Sequence, residues 1–469
     1  MKTKKELMNK MLQQAVEANN LKRAEELIKI GAECRSLGLC VQTNLREMAG
    51  ILLQQGCISN QDMSKSQCLE WAITSKYTEL IEIILKKDVN QAYNRVWHPA
   101  TKRYVTPFDL AVADNDMDMV KFLVELGVDV NNNNHNFGMQ HQIMNSNITW
   151  IKFFIDLGAK LDNLLPTAVS YNNKDVVELL LENGAIMVKN LIMHYATSKE
   201  MAEFLISLGA DVNGEDGSGQ TPLHWNMNTN KPLDLIKFLI DSGADVNTKR
   251  DDKSTPLHRA VAIHNIDYVK LLIEMGADVG AKNSYGQTPI MQLNPELTIA
   301  KKILKLLIAH GADVNAKDNA DDTLLHRFAK ISSAVSFIEL LIKHGADVNA
   351  KNHQGNTPLH ISTTHDLFST SRAFIDSGAD VFALNNSKNT PEDRTSGWRE
   401  SSKKIKKHIQ NIVANLSSEE VQRRKEKAME EYDKMMGITK VKEEEKKKSE
   451  EELMEEIEQM ISALYEDEA

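Results

Sequence analysis

The sequence predicts an all-α repeat solenoid: helix–turn–helix units joined by hairpin loops, followed by a helical C-terminal tail. Three observations predict it. Thr255–Asp278, TPLHRAVAIHNIDYVKLLIEMGAD, reads as one complete helical pair. Thr255 is a favourable N-cap, and Pro256 takes the first helical position, where a missing N–H costs nothing. Leu257, Ala260 and Val261 face one side of a short first helix, and a turn at His264–Asn265 leads into a second. Val269, Leu271, Leu272 and Ile273 give that helix a wider apolar face, and Gly276 ends it as a left-handed residue. The TPLH tetrapeptide returns at Thr221–His224 and Thr357–His360, with variants at Thr288–Met291 and Thr323–His326. The glycines of the closing GAD, Gly209, Gly243, Gly276, Gly311, Gly345 and Gly378, stand 34, 33, 35, 34 and 33 residues apart.

One such unit cannot bury both its apolar faces alone, so copies on either side must cover them, and stability becomes a sum of unit and neighbour terms. In period, T-P-L-H signature and helix pattern, residues 205–392 resemble the ankyrin repeat, whose period is about 33 residues. The resemblance implies helix pairs topped by hairpin loops around a concave face. It also implies that each TPLH histidine bonds to neighbouring backbone near the turn.

Taken in order, residues 1–63 read as degenerate N-terminal units with a cap. Leu7, Met8, Met11, Leu12 and Ala15 fall at helical spacing. Asn44–Cys57 reads as a second unit and Cys68–Asn90 as a third. Residues 64–213 read as divergent repeats carrying an insertion at 91–105, QAYNRVWHPATKRYV. That insertion is either a hairpin folded onto its neighbours or a projecting contact finger, with Trp97 its candidate anchor. Steps of 26 and 25 residues between Gly158, Gly184 and Gly209 predict trimmed hairpins there. Residues 214–389 hold five regular units. Residues 390–416 read as a C-terminal cap, with Ile405, Ile409, Ile412, Val413 and Leu416 on one stripe and Lys403, Lys404, Lys406 and Lys407 in water. Residues 417–469 read as a charged helical or coiled-coil tail outside the solenoid. Ser417 with Glu420 opens its first helix, Gly437 closes it, and Ser449 with Glu452 opens a second.

The formal net charge is −10, but residues 443–469 hold twelve acids and three lysines, a balance of −9. The remainder is near neutral, which argues against a nucleic-acid partner. No run of about 18 apolar residues is present to span a membrane, and the basic N-terminus lacks the apolar core of a signal peptide. Cys34, Cys40, Cys57 and Cys68 form no C-x-x-C pair and read as reduced core thiols of a cytoplasmic protein.

Catalytic signatures are absent: there is no phosphate loop, dinucleotide fingerprint, H-E-x-x-H or G-x-S-x-G. DGSG at Asp216–Gly219 is a hairpin tip. His224, His258, His326 and His360 recur with the repeat, as do Asp211, Asp245, Asp278, Asp313, Asp347 and Asp380; recurrence marks architecture, whereas a catalytic set would be singular. No catalytic residue, cofactor or metal is expected. The reading is a non-enzymatic protein-binding scaffold. Two alternatives stay open: an enzyme whose site lies in the divergent region 34–205, and an adaptor that self-associates through its tail.

The resemblance implies that partner proteins touch hairpin tips and the exposed end of the first helix. The tips are Ser218 and Gln220, Asp252 and Ser254, Tyr285 and Gln287, and His353, Gln354 and Asn356. The first-helix positions are Ile263, Lys330, Ile331 and His365. Tyr285 and an exposed apolar pair, Ile263 and Ile331, are the expected anchors, while Trp225 is expected to pack between units. Asn213, Asn247, Asn315 and Asn349, each eight residues after a Leu, are similar to ankyrin asparagines modified by a eukaryotic asparaginyl hydroxylase. The acidic tail resembles the glutamate-rich C-terminal signals of Dot/Icm-type type IV secretion effectors, which would imply delivery into a host cytoplasm.

Overall fold

The structure, a computed structural model, describes residues 2–30, 32, 40, 45–54, 65–98, 103–132, 136–228 and 231–437. Cys34, Cys57 and the second tail helix expected after Ser449 lie outside the described residues. The chain divides into two compact units, Met1–Gly214 and Glu215–Ala469.

The first unit is built from helix pairs. Lys2–Glu17 is followed by Leu21–Lys29, and Arg46–Gln54 supplies the second helix of the next pair. Lys65–Thr74 pairs with Thr78–Lys87, Pro107–Ala113 with Met117–Glu125, Asn136–Met144 with Ile148–Asp156, and Leu165–Ser170 with Lys174–Glu182. In the last pair a 3₁₀ turn, Ile192–Tyr195, replaces the first helix before Lys199–Ser207. The divergent stretch 65–207 therefore keeps the helix-pair plan. The turn inside most pairs puts one non-glycine residue in the left-handed region, as at Asn115 (φ 58°) and Asn172 (φ 57°). The next residue caps the second helix: Asp116 Oδ1 accepts from Met119 N–H at 3.0 Å.

The insertion forms a two-stranded antiparallel hairpin, β1 (Val96–His98) and β2 (Arg103–Val105), with Trp97 opposite Tyr104. Its flanks are tied down. Ala92 and Val105 are buried, and Tyr93 Oη accepts from Asp129 N–H at 2.8 Å. Tyr104 is 66% exposed. The insertion thus anchors at its base and offers surface above it. The Trp97 side chain lies outside what is described.

The second unit stacks Pro222–Asn228 with Leu233–Asp241, Pro256–Ala262 with Ile266–Glu274, the 3₁₀ turn Pro289–Gln292 with Ala300–Ala309, Leu324–Phe328 with Val335–Lys343, and Pro358–Thr364 with Phe368–Asp376. The first helix at 289–292 stays short because Pro295 follows, lacking an N–H and disfavouring a helical residue before it. Leu257, Ala260, Val261, Val269 and Leu272 are fully buried, and burial of each larger side chain contributes about 1.5–3 kcal/mol. Asn265 caps its helix, accepting from Asp267 N–H and Tyr268 N–H at 3.1 Å. Gly276 closes that helix at φ 87°. Glu400–Ala414 caps the stack, with Ile405 and Ile409 buried and Lys403, Lys404 and Lys407 exposed.

The tail requires a correction. Its first helix, Ser418–Met435, forms as expected: Ser417 Oγ accepts from Glu420 N–H at 3.1 Å, and Gly437 follows at φ 66°. It does not stand apart from the solenoid. Ala428 and Tyr432 are buried, Lys388 Nζ sits 5.1 Å from the Tyr432 ring centroid, and Tyr432 Oη donates to the Asn386 carbonyl at 3.5 Å. The charged run around these two residues disguises a small apolar footing, which is enough to seat the helix on the last hairpin.

Cys40 and Cys68 are buried free thiols. Burial pushes Cys40 up to about 12 and Cys68 up to about 11, so both stay protonated and unreactive at neutral pH.

Candidate functional site

Three kinds of contact join the repeats of the second unit, and these decide which side chains are left over for a partner. The backbone rung recurs at every tip, whereas Met291 replaces the histidine in one repeat and Gly280 replaces the asparagine in one loop. The first contact runs through the TPLH histidine. Thr255 N–H donates to His258 Nδ1 at 3.2 Å, and His258 Nε2–H donates to the Gln287 carbonyl at 2.9 Å, one repeat away. The Nε2 tautomer follows from its partner, since a carbonyl can only accept. His224 to Ser254, His326 to Asn356 and His360 to Asn389 repeat the arrangement. Burial lowers all four pKa values, His224 and His360 to about 4, so the rings are neutral. In the first unit Asp109 takes the histidine's place: it accepts from Thr106 Oγ1–H at 2.8 Å and from Gly138 N–H, in the next repeat, at 2.9 Å.

The second contact runs through three of the four asparagines expected as hydroxylation sites, Asn247, Asn315 and Asn349. Asn315 Nδ2 donates to the Gly345 carbonyl at 2.9 Å, and its Oδ1 accepts from Asp347 N–H at 2.7 Å. Asn247 bonds likewise to Gly276 and Asp278, and Asn349 accepts from Asp380 N–H. An enzyme reaching these Cβ atoms would have to open the clamp. The recurring aspartates shape the loop beside it, as Asp313 Oδ1 accepts from Asn315 N–H at 2.8 Å.

The third contact is a backbone rung between tips. Asp251 N–H donates to the Ser218 carbonyl, Ser284 to Asp252, Asn319 to Tyr285, His353 to Ala320 and Asn386 to Gln354, at 2.8–3.2 Å. A Cβ on Gly286 (φ 73°) would lie 2.3 Å from Asn319 Oδ1, which fixes glycine beside the tip.

The expected contact residues separate accordingly. Tyr285 is 65% exposed, and Ser218, His353, Gln354, Lys330 and His365 are exposed. Lys330 pairs with Asp322 at 3.4 Å and His353 Nδ1 lies 2.7 Å from Asp321. Ser254, Gln287 and Asn356 are half-buried, their carbonyls taken by the histidines. Gln220 and Asp252 are half-buried too. Ile263 and Ile331 are not an exposed apolar pair. Both are half-buried: Ile263 caps its helix, and the Ile331 carbonyl accepts from Thr370 Oγ1–H at 3.2 Å. Trp225, expected between units, keeps 37% of its surface exposed.

Four of the expected residues, Asp252, Ser254, Tyr285 and Gln287, meet in one pocket of about 230 Å³, whose walls also include His224, His258, Arg250 and Arg259. The two arginines escaped the sequence reading, although a signal for Arg250 was present. Five hairpins open with Asp216, Asn283, Asp318, Asn352 and Asn385, each folding the tip by accepting backbone N–H groups two and four residues on. Arg250 stands in that register instead. The turn is rescued by Asp252, which accepts from Ser254 N–H at 2.9 Å and binds Arg250 through two bonds of 2.9 and 2.5 Å. Hydrogen bonds from Arg250 hold the Asp252 carboxyl far below the usual range. With the histidines neutral and this pair cancelling, Arg259 leaves the pocket one positive charge in excess. Its Nε is buried and has no hydrogen-bond partner.

A model for ankyrin repeats (3 copies) matches residues 168–250, 226–293 and 297–385, and one for a single ankyrin repeat matches 103–132. An ankyrin repeat protein of fowlpox virus (strain NVSL) is 30% identical over 138 residues, 27% of this chain and 33% of that protein. The chain thus spans about a third of that relative's length. A solved structure of the ankyrin repeat domain of Bcl-3, described as a unique member of the IkappaB protein family, is similar at 23% identity and a TM-score of 0.40, over 52% of this chain and 97% of that one. The two repeat models together match just over half of the sequence, and the chain belongs to the ankyrin repeat family.

Proposed function

We propose that this chain is a non-enzymatic scaffold that binds a partner protein through the tips and first helices of repeats 215–389. The observation that carries it is the pocket around Tyr285. An exposed aromatic, a cation and half-buried polar groups converge there on backbone that the three inter-repeat contacts hold rigid. Aromatic and arginine anchors on a rigid frame are what concentrate binding energy in protein interfaces. The 230 Å³ volume suits one or two side chains of a partner better than a whole small-molecule substrate. Among the described residues no group of three or more His, Cys, Asp or Glu could hold a metal ion, and no helix is long and apolar enough to cross a membrane.

Delivery into a host cytoplasm is the finer part of this reading. It is supported by the composition of residues 443–469 alone, so it stands or falls with a translocation reporter carried with and without residues 440–469.

A photo-crosslinking amino acid at Tyr285, compared with the same group at exposed Lys270 on a second helix, tests the binding face in eukaryotic lysate. Adducts at 285 that are missing at 270 are expected. Equal labelling at the two positions would remove the case for this face.

A further inference from the structure

Arg259 has a counterpart two repeats later. Arg327 also follows its TPLH-like histidine, and it lies nine residues after Asp318 as Arg259 lies nine after Arg250. Arg327 Nη1 lies 4.0 Å from the Asp318 carboxylate, which is its ion-pair partner. In the Arg259 repeat the residue at the acid's position is Arg250, whose own charge is spent on Asp252. The same scaffold therefore supplies a carboxylate to one arginine and withholds it from the other. The deprived arginine lines a pocket, beside a tyrosine that is 65% exposed.

We propose that Arg259 receives the carboxylate of an Asp or Glu in the partner protein, so that this face selects acidic segments. The proposal rests on the reading that the face binds protein, and it names what is read there. Carboxylate is the fitting anion because Asp318 shows that a carboxylate is compatible with an arginine at this place in the repeat. The guanidinium can offer its donors in a fork, and the pocket's partial enclosure strengthens the pair over one on open surface. Tyr285 borders the same opening and can cover the aliphatic stem of the incoming acid.

The test uses the full chain and a displayed library of random linear peptides. Enriched peptides should share an Asp or Glu, and changing that acid to Asn or Gln should weaken binding about tenfold or more. Arg259→Gln should lose the same factor and become indifferent to the acid, so that the two changes are not additive. Arg250→Asp, which gives Arg259 in cis what Arg327 already has, should also abolish the preference. The urea midpoint of each variant confirms that the repeat is intact. Peptides that crosslink to position 285 yet bind wild type and Arg259→Gln equally would overturn the proposal while leaving the binding face standing. A library that yields no binder overturns both.

Discussion

His326 Nε2 donates to the carbonyl of Asn356 at 2.9 Å, while its Nδ1 accepts from Thr323 N–H at 3.1 Å. One fully buried ring thus caps its own helix and ties it to the following repeat. His326→Ala would orphan a buried N–H and a half-buried carbonyl and leave a small void. A loss of about 2–4 kcal/mol is expected in urea unfolding. His326→Asp should be at least as damaging, even though Asp109 fills this role in the first unit. Asp109 faces an N–H, from Gly138, whereas Asp at 326 would point an acceptor at the Asn356 carbonyl. An aspartate variant as stable as wild type would refute the donor-matching argument.

The same rings set a pH dependence. His224 and His360 are lowered to about 4 by burial, against about 6.5 in an unfolded chain. The unfolded state therefore binds more protons between those values, and stability falls as pH drops. The contribution is fully present above about pH 6.5 and is lost progressively toward pH 4. Each ring accounts for on the order of 3 kcal/mol at most. Urea midpoints measured from pH 7.5 to 4.5 should decline along this window, and a His360→Gln variant should show a shallower decline. A flat profile would show that the rings are not held neutral.

The repeat frame was legible because each of its signals is local and periodic: Thr and Pro at the helix start, glycine at its end, an apolar face between. The binding pocket was only half legible. Tyr285 announced itself as an aromatic at a tip, but the importance of Arg259 depends on what is missing nine residues earlier, which becomes visible only when the repeats are compared by register. Ile263 and Ile331 misled because a helix-end position says nothing of what the neighbouring repeat brings to it, as Thr370 of the next repeat's second helix does at the Ile331 carbonyl. The seat of the tail escaped because Ala428 and Tyr432 are two apolar contacts among many charges, too few to register as an amphipathic stripe.

Asn315 makes two side-chain bonds across one repeat boundary. Asn315→Ala should cost about 1–3 kcal/mol. Because coupling in a stack is between neighbours, the loss should appear as faster amide exchange around 313–350, while the helix pair 222–241 keeps its protection. Mass spectrometry of exchanged peptides resolves the two regions. Uniform acceleration across 222–376 would mean that the repeats open as one block rather than at the weakened boundary.

The tail helix is held by a small footing, and that makes it releasable. Tyr432 and Ala428 are its buried residues, and a space of about 530 Å³, bordered by Asn349, Lys351 and Asp380 on one side and Arg423, Arg424 and Lys427 on the other, separates much of the helix from the array. Its ion pairs, Glu420 with Arg423 and Arg424 and Lys427 with Glu431, lie within the helix, so they add nothing to docking. Tyr432→Ala removes the ring that Lys388 covers, and truncating a buried aromatic costs a few kcal/mol. Tryptic cleavage at Arg423 and Arg424 should accelerate about tenfold or more, since a helix must leave its support and open before a protease can cut it. The repeats 222–376 should resist as before. Cleavage at the wild-type rate would mean that the helix is not held by Tyr432, and the tail would return to being an appendage independent of the array.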